Sequence, residues 1–373
     1  MTLPRVLQVC SYYVGNHLYK DLFATLDTFG IRQSVYVFTS KHYRPKGSVP
    51  ANVYFAPCYY EFERLIFFLK HWRVRRDVRS RISLQEHDVV HAHSLFSNGF
   101  IAYRLKQEFG IPYIVAVRNT DVNVFFKHLI HLRPVGLRIM AEASAIVFIS
   151  KPYKDFTIGR YVPKPLRDAF EQKSVVLPNG IDRFWHENKS QPRTLGDQRS
   201  VRIIHVGSIN RNKNPDATIA ACQILRREGF DVRYTLVGEI TEAKYMRLLK
   251  RYPFVECISH CGKEDLIRYY READVLVMPS KRETFGLVYA EAMSQGLPVI
   301  YTRGQGFDGQ FSEGEVGYSV DPNSPDEIAS KIKAVLGDYE RLSKRALEAA
   351  DRYTWGMICK EYLRLYSSAV KLH

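Results

Sequence analysis

Nowhere in the 373 residues do about 18 apolar residues run together, the least that a membrane-crossing helix needs, so no membrane span is expected. The N-terminus, MTLPRVLQVCSYY, also lacks the apolar region and small-residue cleavage site of a secretion signal, and it reads as a first β-strand. Cysteine is scarce and scattered: Cys10, Cys58, Cys222, Cys257, Cys261 and Cys359 stand mostly in apolar contexts. Cys257, His260 and Cys261 lie close together, but no second ligand pair completes a zinc pattern. Buried free thiols in a reducing cytosol are therefore expected. There is no GxxxxGK[ST] phosphate loop. GQGFDG at 304–309 fits G-x-G-x-x-G after a strand, but the turn-rich FSEGEVGYSVDP follows it in place of a helix, so no dinucleotide site is expected there. No recognised nucleic-acid-binding motif is present either, and no nucleic-acid partner is expected.

Acidic residues are also in short supply, 39 against 54 Lys and Arg, for a net charge of +15. The imbalance is uneven, because residues 1–180 hold 25 Lys and Arg against 13 Asp and Glu. That half should meet something anionic. EFERLIFFLKHWRVRRDVRSRI sets Phe, Leu, Ile and Trp72 among Arg64, Lys70, Arg73, Arg75, Arg76, Arg79 and Arg81, and predicts a long basic helix near 61–82. FFKHLIHLRPVGLRIM at 125–140 is a second such stretch. A basic amphipathic helix suits an anionic membrane surface, and a core helix with solvated charges fits the same pattern.

The length exceeds the ~250–300 residues at which single cores stop growing, so two domains are expected. The first half alternates strands (RVLQVCSYY, QSVYVF, VYFAP, DVVHAH, PYIVAVR, SAIVFIS, KSVVLPNG) with helical patterns such as NHLYKDLFATLDTFG, closed by Gly30. The second half restarts the pattern with VRIIHVGS, DVRYTLVGE, FVECISHCG, DVLVMPS and PVIYTR between helices. This βαβα order predicts parallel sheets covered by helices. The polar GIDRFWHENKSQPRTLGDQRS between the halves is the linker candidate.

Two carboxylates stand out in KRETFGLVYAEAMSQGLPVI. Glu283 follows the strand DVLVMPS, at the carboxyl end where ligands bind in open α/β sheets. Phe285 and Gly286 lead into a helix whose first amides, those of Gly286, Leu287 and Val288, lack intrahelical partners and form an anion site. Glu291 sits about 7 Å along that helix. Carboxylates suit vicinal hydroxyls because each oxygen accepts. A surface loop Glu followed by a helix Glu is the plainer account. One segment earlier, VRIIHVGSINRNKNP is a strand, Gly207, a loop with Arg211 and Lys213, and an Asn-Pro helix start. Glycine lets a phosphate approach the backbone and the cations neutralise it. Alone, Lys213 also fits a solvated surface charge.

VLPNGID, GSINRNKN, TLVGE, CISHCGKED and DVLVMPSKRETFGLVYAEAMSQGLPVI together resemble the retaining glycosyltransferases of the GT-B fold, and the large glycosyltransferase family 4 in particular. The resemblance spans most of the chain and is densest at 175–320. It implies an α/β GT-B fold, two Rossmann-like domains with a cleft between them. Residues 1–180 would be the acceptor-binding domain, with the C-terminal helix 356–370 packing back on it, and 181–355 the nucleotide-sugar domain. Glu283 and Glu291 match the family's E-x7-E motif, which implies that Glu283 contacts the donor sugar and Glu291 the ribose. The amides after Phe285-Gly286 would hold sugar hydroxyls and diphosphate, and Lys213 would bind the diphosphate. Gly207, Gly238, Glu239 and Lys263 fall in matching segments and join the donor site, and the 304–309 segment becomes a loop closing over the donor. The chain departs from the family in three places. Ser208 stands where Arg or Lys usually follows the strand glycine, and Arg211 can supply that charge. Gly15-Asn16 replaces a Gly-Gly after the first strand. In VAVRNTDVN, Arg118 takes the place of a His, Asn119 that of a Gly, and Asp121 that of an Asp. Arg118 can donate to a sugar hydroxyl, bind an acidic sugar or an acceptor phosphate, or form an internal ion pair with Asp121 or Glu142. His93, ending DVVHAH with His91, is an acceptor-side candidate or a satisfied core residue.

The resemblance implies a retaining hexosyltransferase that moves sugar from a nucleotide-diphosphate sugar, UDP-linked, to a carbohydrate or lipid-linked acceptor. Glu283, Lys213, Arg118 and Asp121 would carry the chemistry, with Asn119 and His93 beside the acceptor. No metal or cofactor is expected, the nucleotide sugar being a substrate. Cell-envelope polysaccharide or glycolipid synthesis, in the cytoplasm and at the inner face of the membrane, is the expected setting. A non-catalytic sugar-nucleotide or polyanion-binding protein and a sugar-nucleotide epimerase remain as alternatives.

Overall fold

The structure is a computed structural model that describes residues 3–15, 17–45, 48–196, 199–249 and 251–371. The chain divides into two compact units. The first runs from the N-terminus to Ile149, through Tyr153–Asn179, and takes up the C-terminal segment from Trp355; the second comprises Ser150–Pro152 and Gly180–Thr354.

The first unit is built on seven strands: β1 (Val6–Val9), β2 (Gln33–Ser40), β3 (Val53–Tyr59), β4 (Val89–Ala92), β5 (Tyr113–Val117), β6 (Ala145–Phe148) and β7 (Ser174–Val176). They form one parallel sheet in the order β3-β2-β1-β4-β5-β6-β7. The central strands are buried along their whole length, which is why YIVAV and AIVF are continuous apolar runs and not alternating ones. The C-terminal helix Trp355–Lys371 lies in the same core, with Trp355, Ile358, Cys359, Tyr362 and Tyr366 buried alongside Leu22, Val89 and Ile114.

The second unit has six parallel strands: β8 (Ser200–Val206), β9 (Asp231–Val237), β10 (Val255–Ile258), β11 (Val275–Met278), β12 (Val299–Thr302) and β13 (Gly317–Val320). Their order is β10-β9-β8-β11-β12-β13. Both sheets start at an inner strand, step outward one way, then cross over and step the other way. This is the doubly wound order, and it puts a crevice at the carboxyl ends of β1 and β4 in one unit and of β8 and β11 in the other.

Five local expectations are corrected. The expected linker is structured: residues 183–187 form a helix, Trp185 is buried against the Tyr270 ring, and Ile181 donates its amide to the Tyr353 carbonyl. Its polar composition hid these two apolar anchors. The 125–140 stretch is not one amphipathic helix. A π-helical turn (Asp121–Phe126) and a short 3-10 turn precede a helix Arg133–Glu142, with Pro134 in its first turn. The 61–82 segment also breaks, into a 3-10 turn Glu61–Leu65 and the helix Phe67–Arg81. Inside the segment read as turns lies β13, where a side chain at Gly317 would run into the Val299 carbonyl. Of the cysteines, Cys10, Cys222 and Cys359 are buried, but Cys257 is exposed.

Candidate functional site

In the second unit two loops are stitched together. Asn214 heads the helix Pro215–Arg227 in the left-handed region (φ 57°), a conformation Asn tolerates. Its side-chain amide donates to the carbonyls of Pro279 (3.1 Å) and Pro322 (2.7 Å). Asn212 donates from its side chain to the Arg282 carbonyl, and its own carbonyl accepts the Lys281 amide. The loops after β8 and β11 are thereby held side by side, and the Lys213 ammonium reaches the Glu283 carboxylate at 2.5 Å. Both side chains are partly exposed. A Cβ on Gly207 would meet the Lys213 side chain at 3.9 Å, so the lysine stem crosses the bare glycine. Gly238, after β9, is pressed against that same turn: at φ 151° a Cβ would come within 2.1 Å of the Gly207 carbonyl oxygen. Ser208, Arg211 and Glu239 are exposed on this rim, and the Arg211 amide donates to Glu242. Beneath it, His205 is fully buried with both ring nitrogens unpartnered, and burial beside Lys213 holds it neutral, pushed down to about 3.

The helix Leu287–Ser294 follows with Gly286 at φ 83°, where a Cβ would strike the Tyr289 ring at 2.5 Å. Phe285 is buried and anchors the turn; Gly286, Leu287 and Val288 stay partly exposed, leaving their amides at the helix start. The segment 304–309 is a turn clamped on this loop. Gly306 donates its amide to the Glu283 carbonyl, the Glu283 amide donates to Gln305 Oε1, and a Cβ on Gly306 would collide with the Thr284–Phe285 peptide. Glu291, one and a half turns along, is set deep, with the Tyr270 hydroxyl at 3.4 Å. Burial, and Asp182 nearby, push its carboxyl up to about 7. Lys263 pairs with Asp182 at 2.5 Å. A recess of about 520 Å³ opens at the ends of β9 and β10, lined by Gly238, Glu239, Ile240, Cys257, Ile258, Ser259 and His260. Asn212, Asn214, His205, Tyr270 and Gln305 were not singled out from the sequence; only the Asn-Pro helix start signalled one of them.

In the first unit, Gly15 turns after β1 at φ 72° with open space beside it, and Asn16 lies outside the described residues. His93 is fully buried, donating from Nε2 to Gln8 Oε1 at 2.8 Å and set edge-on to Tyr19 and Phe23. Asp121 is buried as well. Its oxygens accept the amides of Leu95, Phe96 and Arg118 at 2.8–3.0 Å, tying the loop after β4 to the loop after β5, and burial pushes it up to about 6. Arg118 forms no ion pair with Asp121 or Glu142 among the described residues: Glu142 meets Lys106 and Gln107. Arg118 is only 8% exposed; its guanidinium has Asn179 Oδ1 at 3.5 Å, and its Nε has no partner among the described residues. Asn119 is exposed and accepts from Asn123.

The basic segment of this unit shows Phe62, Leu65, Ile66, Phe68 and Trp72 between 48% and 91% exposed. Part of its charge is answered by Glu61, Glu63, Asp77 and Glu108. No described helix is long and apolar enough to cross a membrane.

Comparison with known proteins adds independent findings. Residues 187–352 match the family model described as glycosyl transferases group 1, and residues 21–183 match that of glycosyltransferase family 4. D-inositol 3-phosphate glycosyltransferase of Corynebacterium urealyticum is 30% identical over 324 residues, covering 76% of this chain and 72% of that protein. The same enzyme of Paenarthrobacter aurescens is 28% identical over 319 residues, covering 78% and 76%. Among solved structures, sucrose-phosphate synthase from Thermosynechococcus elongatus superposes with a TM-score of 0.73 at 17% identity, over 99% of this chain and all of that one. Anabaena Alr3699/HepE in complex with UDP-glucose gives 0.62 at 16% identity, over 98% and 100%. At these identities the two structures speak for the GT-B architecture alone.

Proposed function

The chain belongs to the glycosyltransferases of group 1 and family 4, enzymes that take sugar from a nucleotide sugar, and from that premise we propose a metal-independent hexosyltransferase that uses a UDP-sugar and retains the anomeric configuration. The observation that carries the reading is the Lys213–Glu283 pair at the β8/β11 crevice, beside the helix start at 286–288. Without a donor each group is the other's counter-ion. A donor diphosphate would take over the ammonium and the helix amides, and Glu283 would turn to the hydroxyls of the sugar. Positive charge and preorganised N–H donors then oppose the negative charge that grows on the leaving diphosphate, while the acceptor hydroxyl attacks. That diphosphate takes the acceptor proton on the same face, so no protein carboxylate need attack the sugar. Glu291 would hold the ribose and the recess beyond Gly238 the base, with Lys263 and Arg211 at its edges.

In the first unit we assign Asp121 a positioning role, since its oxygens already serve three amides. His93 would act from beneath the surface and not by touching the acceptor. The exposed apolar and basic side chains at 62–79 would dock the protein on an anionic membrane face carrying a lipid-linked acceptor, in envelope polysaccharide or glycolipid synthesis. The reading is tested by thermal shift with UDP, GDP and ADP and their sugar derivatives, followed by release of free nucleotide with and without an acceptor extract. Stabilisation by UDP and acceptor-dependent UDP release are expected; a chain that no nucleotide stabilises would overturn the reading.

A further inference from the structure

A buried guanidinium is costly unless something answers its charge, and Arg118 has no ion-pair partner among the described residues. The groups facing it are Cys10, Tyr12, Tyr19 and Tyr362, with His91 and His93 behind. All are neutral as placed. The hydrogen-bond network assigns the histidine tautomers. Gln8 Nε2 donates to Gln33 and to the Tyr366 hydroxyl, which leaves Gln8 Oε1 to accept from His93 Nε2–H. The Tyr366 hydroxyl then donates to His91 Nδ1. Each histidine therefore carries one proton, and His93 Nδ1, His91 Nε2 and Arg118 Nε remain buried without partners. Among the described residues the adjoining carboxylate is Asp121, which attracts the guanidinium but makes no ion pair with it and gives its oxygens to three backbone amides. Arg118 directly follows β5, one strand from the β1/β4 crevice where the strand order of this sheet reverses, and faces Cys10 and Tyr12 from the segment after β1.

We propose that Arg118 is the recognition point for an oxyanion carried by one of the substrates, a uronate carboxylate on the donor sugar or a phosphate ester on the acceptor. This rests on the glycosyltransferase reading and narrows its substrate class to one bearing a negative charge beyond the diphosphate. The chemistry is the planar fork: Nε–H and one Nη–H point the same way and suit two oxygens of one oxyanion, which a lysine cannot match. A neutral sugar would leave the guanidinium fork without a directly paired oxyanion.

The test is calorimetric titration of the full-length protein, wild type and the variants Arg118→Met and Arg118→Lys, with four probes. UDP-glucose and UDP-glucuronic acid read the donor source; glucose and glucose 1-phosphate, each in the presence of UDP and again without it, read the acceptor source. A charge-assisted fork should favour the anionic member of one pair by about 10- to 100-fold in the wild type. Arg118→Met should abolish that preference, and Arg118→Lys should lose most of it. Preference within the first pair names the donor, within the second the acceptor. Equal binding within both pairs, or a preference that survives Arg118→Met, overturns the proposal. Melting is read on the same samples: an unanswered buried charge predicts that Arg118→Met melts no lower than wild type, and a sharp fall would mark a structural residue and also overturn it. Failure of UDP itself to bind the wild type would instead strike the donor reading, while the free-sugar pair still reports on Arg118.

Discussion

Lys213 and Glu283 illustrate what one contact decides. If Lys213 stabilises a leaving diphosphate, Lys213→Ala should slow transfer by about 10²–10³-fold with folding intact, the size of one lost preorganised contact. Steady-state kinetics checks this, and unchanged turnover removes the lysine from the site. Glu283→Gln has the more diagnostic outcome. It frees Lys213 from its counter-ion, so free UDP should bind more tightly while kcat falls; weaker UDP binding would contradict the exchange of partners. Glu291 supplies a pH signature. Its carboxyl, pushed up to about 7 by burial, binds a proton in part near neutral pH, and ribose hydroxyls donating to it would favour the ionised form. Donor binding should then release a proton at pH 6.5, seen as a binding enthalpy that changes with the buffer, and release none at pH 8.5 or in Glu291→Gln. The same burial makes the protein less stable as pH rises from the ordinary carboxylate range through about 7, so Glu291→Gln should raise the melting temperature more at pH 8 than at pH 5.

At the scale of elements, the site depends on how turns meet strands. Gly207 and Gly238 let the loops after β8 and β9 touch backbone to backbone, and Gly286 lets the helix Leu287–Ser294 begin against the Tyr289 ring. Gly238→Ala should therefore push the Gly207 turn away from Lys213. A raised KM for the donor together with lost stability is expected, and a variant with wild-type KM would show that the turn does not cradle the donor. The segment Glu61–Arg81 makes a different case. Leu65, in the 3-10 turn, and Phe68 and Trp72, on the helix, are exposed, whereas His71, Val74 and Val78 turn to the core. Replacing Leu65, Phe68 and Trp72 by Ser should abolish sedimentation with phosphatidylglycerol vesicles and leave turnover on a soluble acceptor unchanged. Retained vesicle binding would move the membrane contact elsewhere.

For the molecule as a whole, the C-terminal helix is a structural part of the unit where the chain starts. Trp355, Tyr362 and Tyr366 are buried there, and the Tyr366 hydroxyl links Gln8 to His91. Ending the chain at Thr354 would uncover that apolar face and take the Tyr366 hydroxyl from Gln8 and His91, so the truncated protein should aggregate or melt far below the full chain. Circular dichroism melts of both forms check this.

Much of this architecture is legible in the order of residues. Continuous Val/Ile runs alternating with helical periods, Gly30 and Gly110 after helices, and the spacing of Glu283 and Glu291 behind a strand end are local patterns, and local patterns follow from backbone sterics and burial. The 61–82 break at Ile66, the four-residue β13 and the buried Trp185 in a polar stretch were hidden, because each depends on what packs against it. The same holds for the site. The motif spacing brought Lys213 and Glu283 under suspicion, but only the Asn212 and Asn214 hydrogen bonds, between residues about 70 apart in the chain, put them 2.5 Å from each other. That Asp121 accepts three backbone amides is likewise visible only in the folded chain. Arg118 reads as half of an ion pair until no carboxylate is found to meet it. Charge type is written in a sequence, but whether a charge is answered depends on neighbours that only the folded chain assembles.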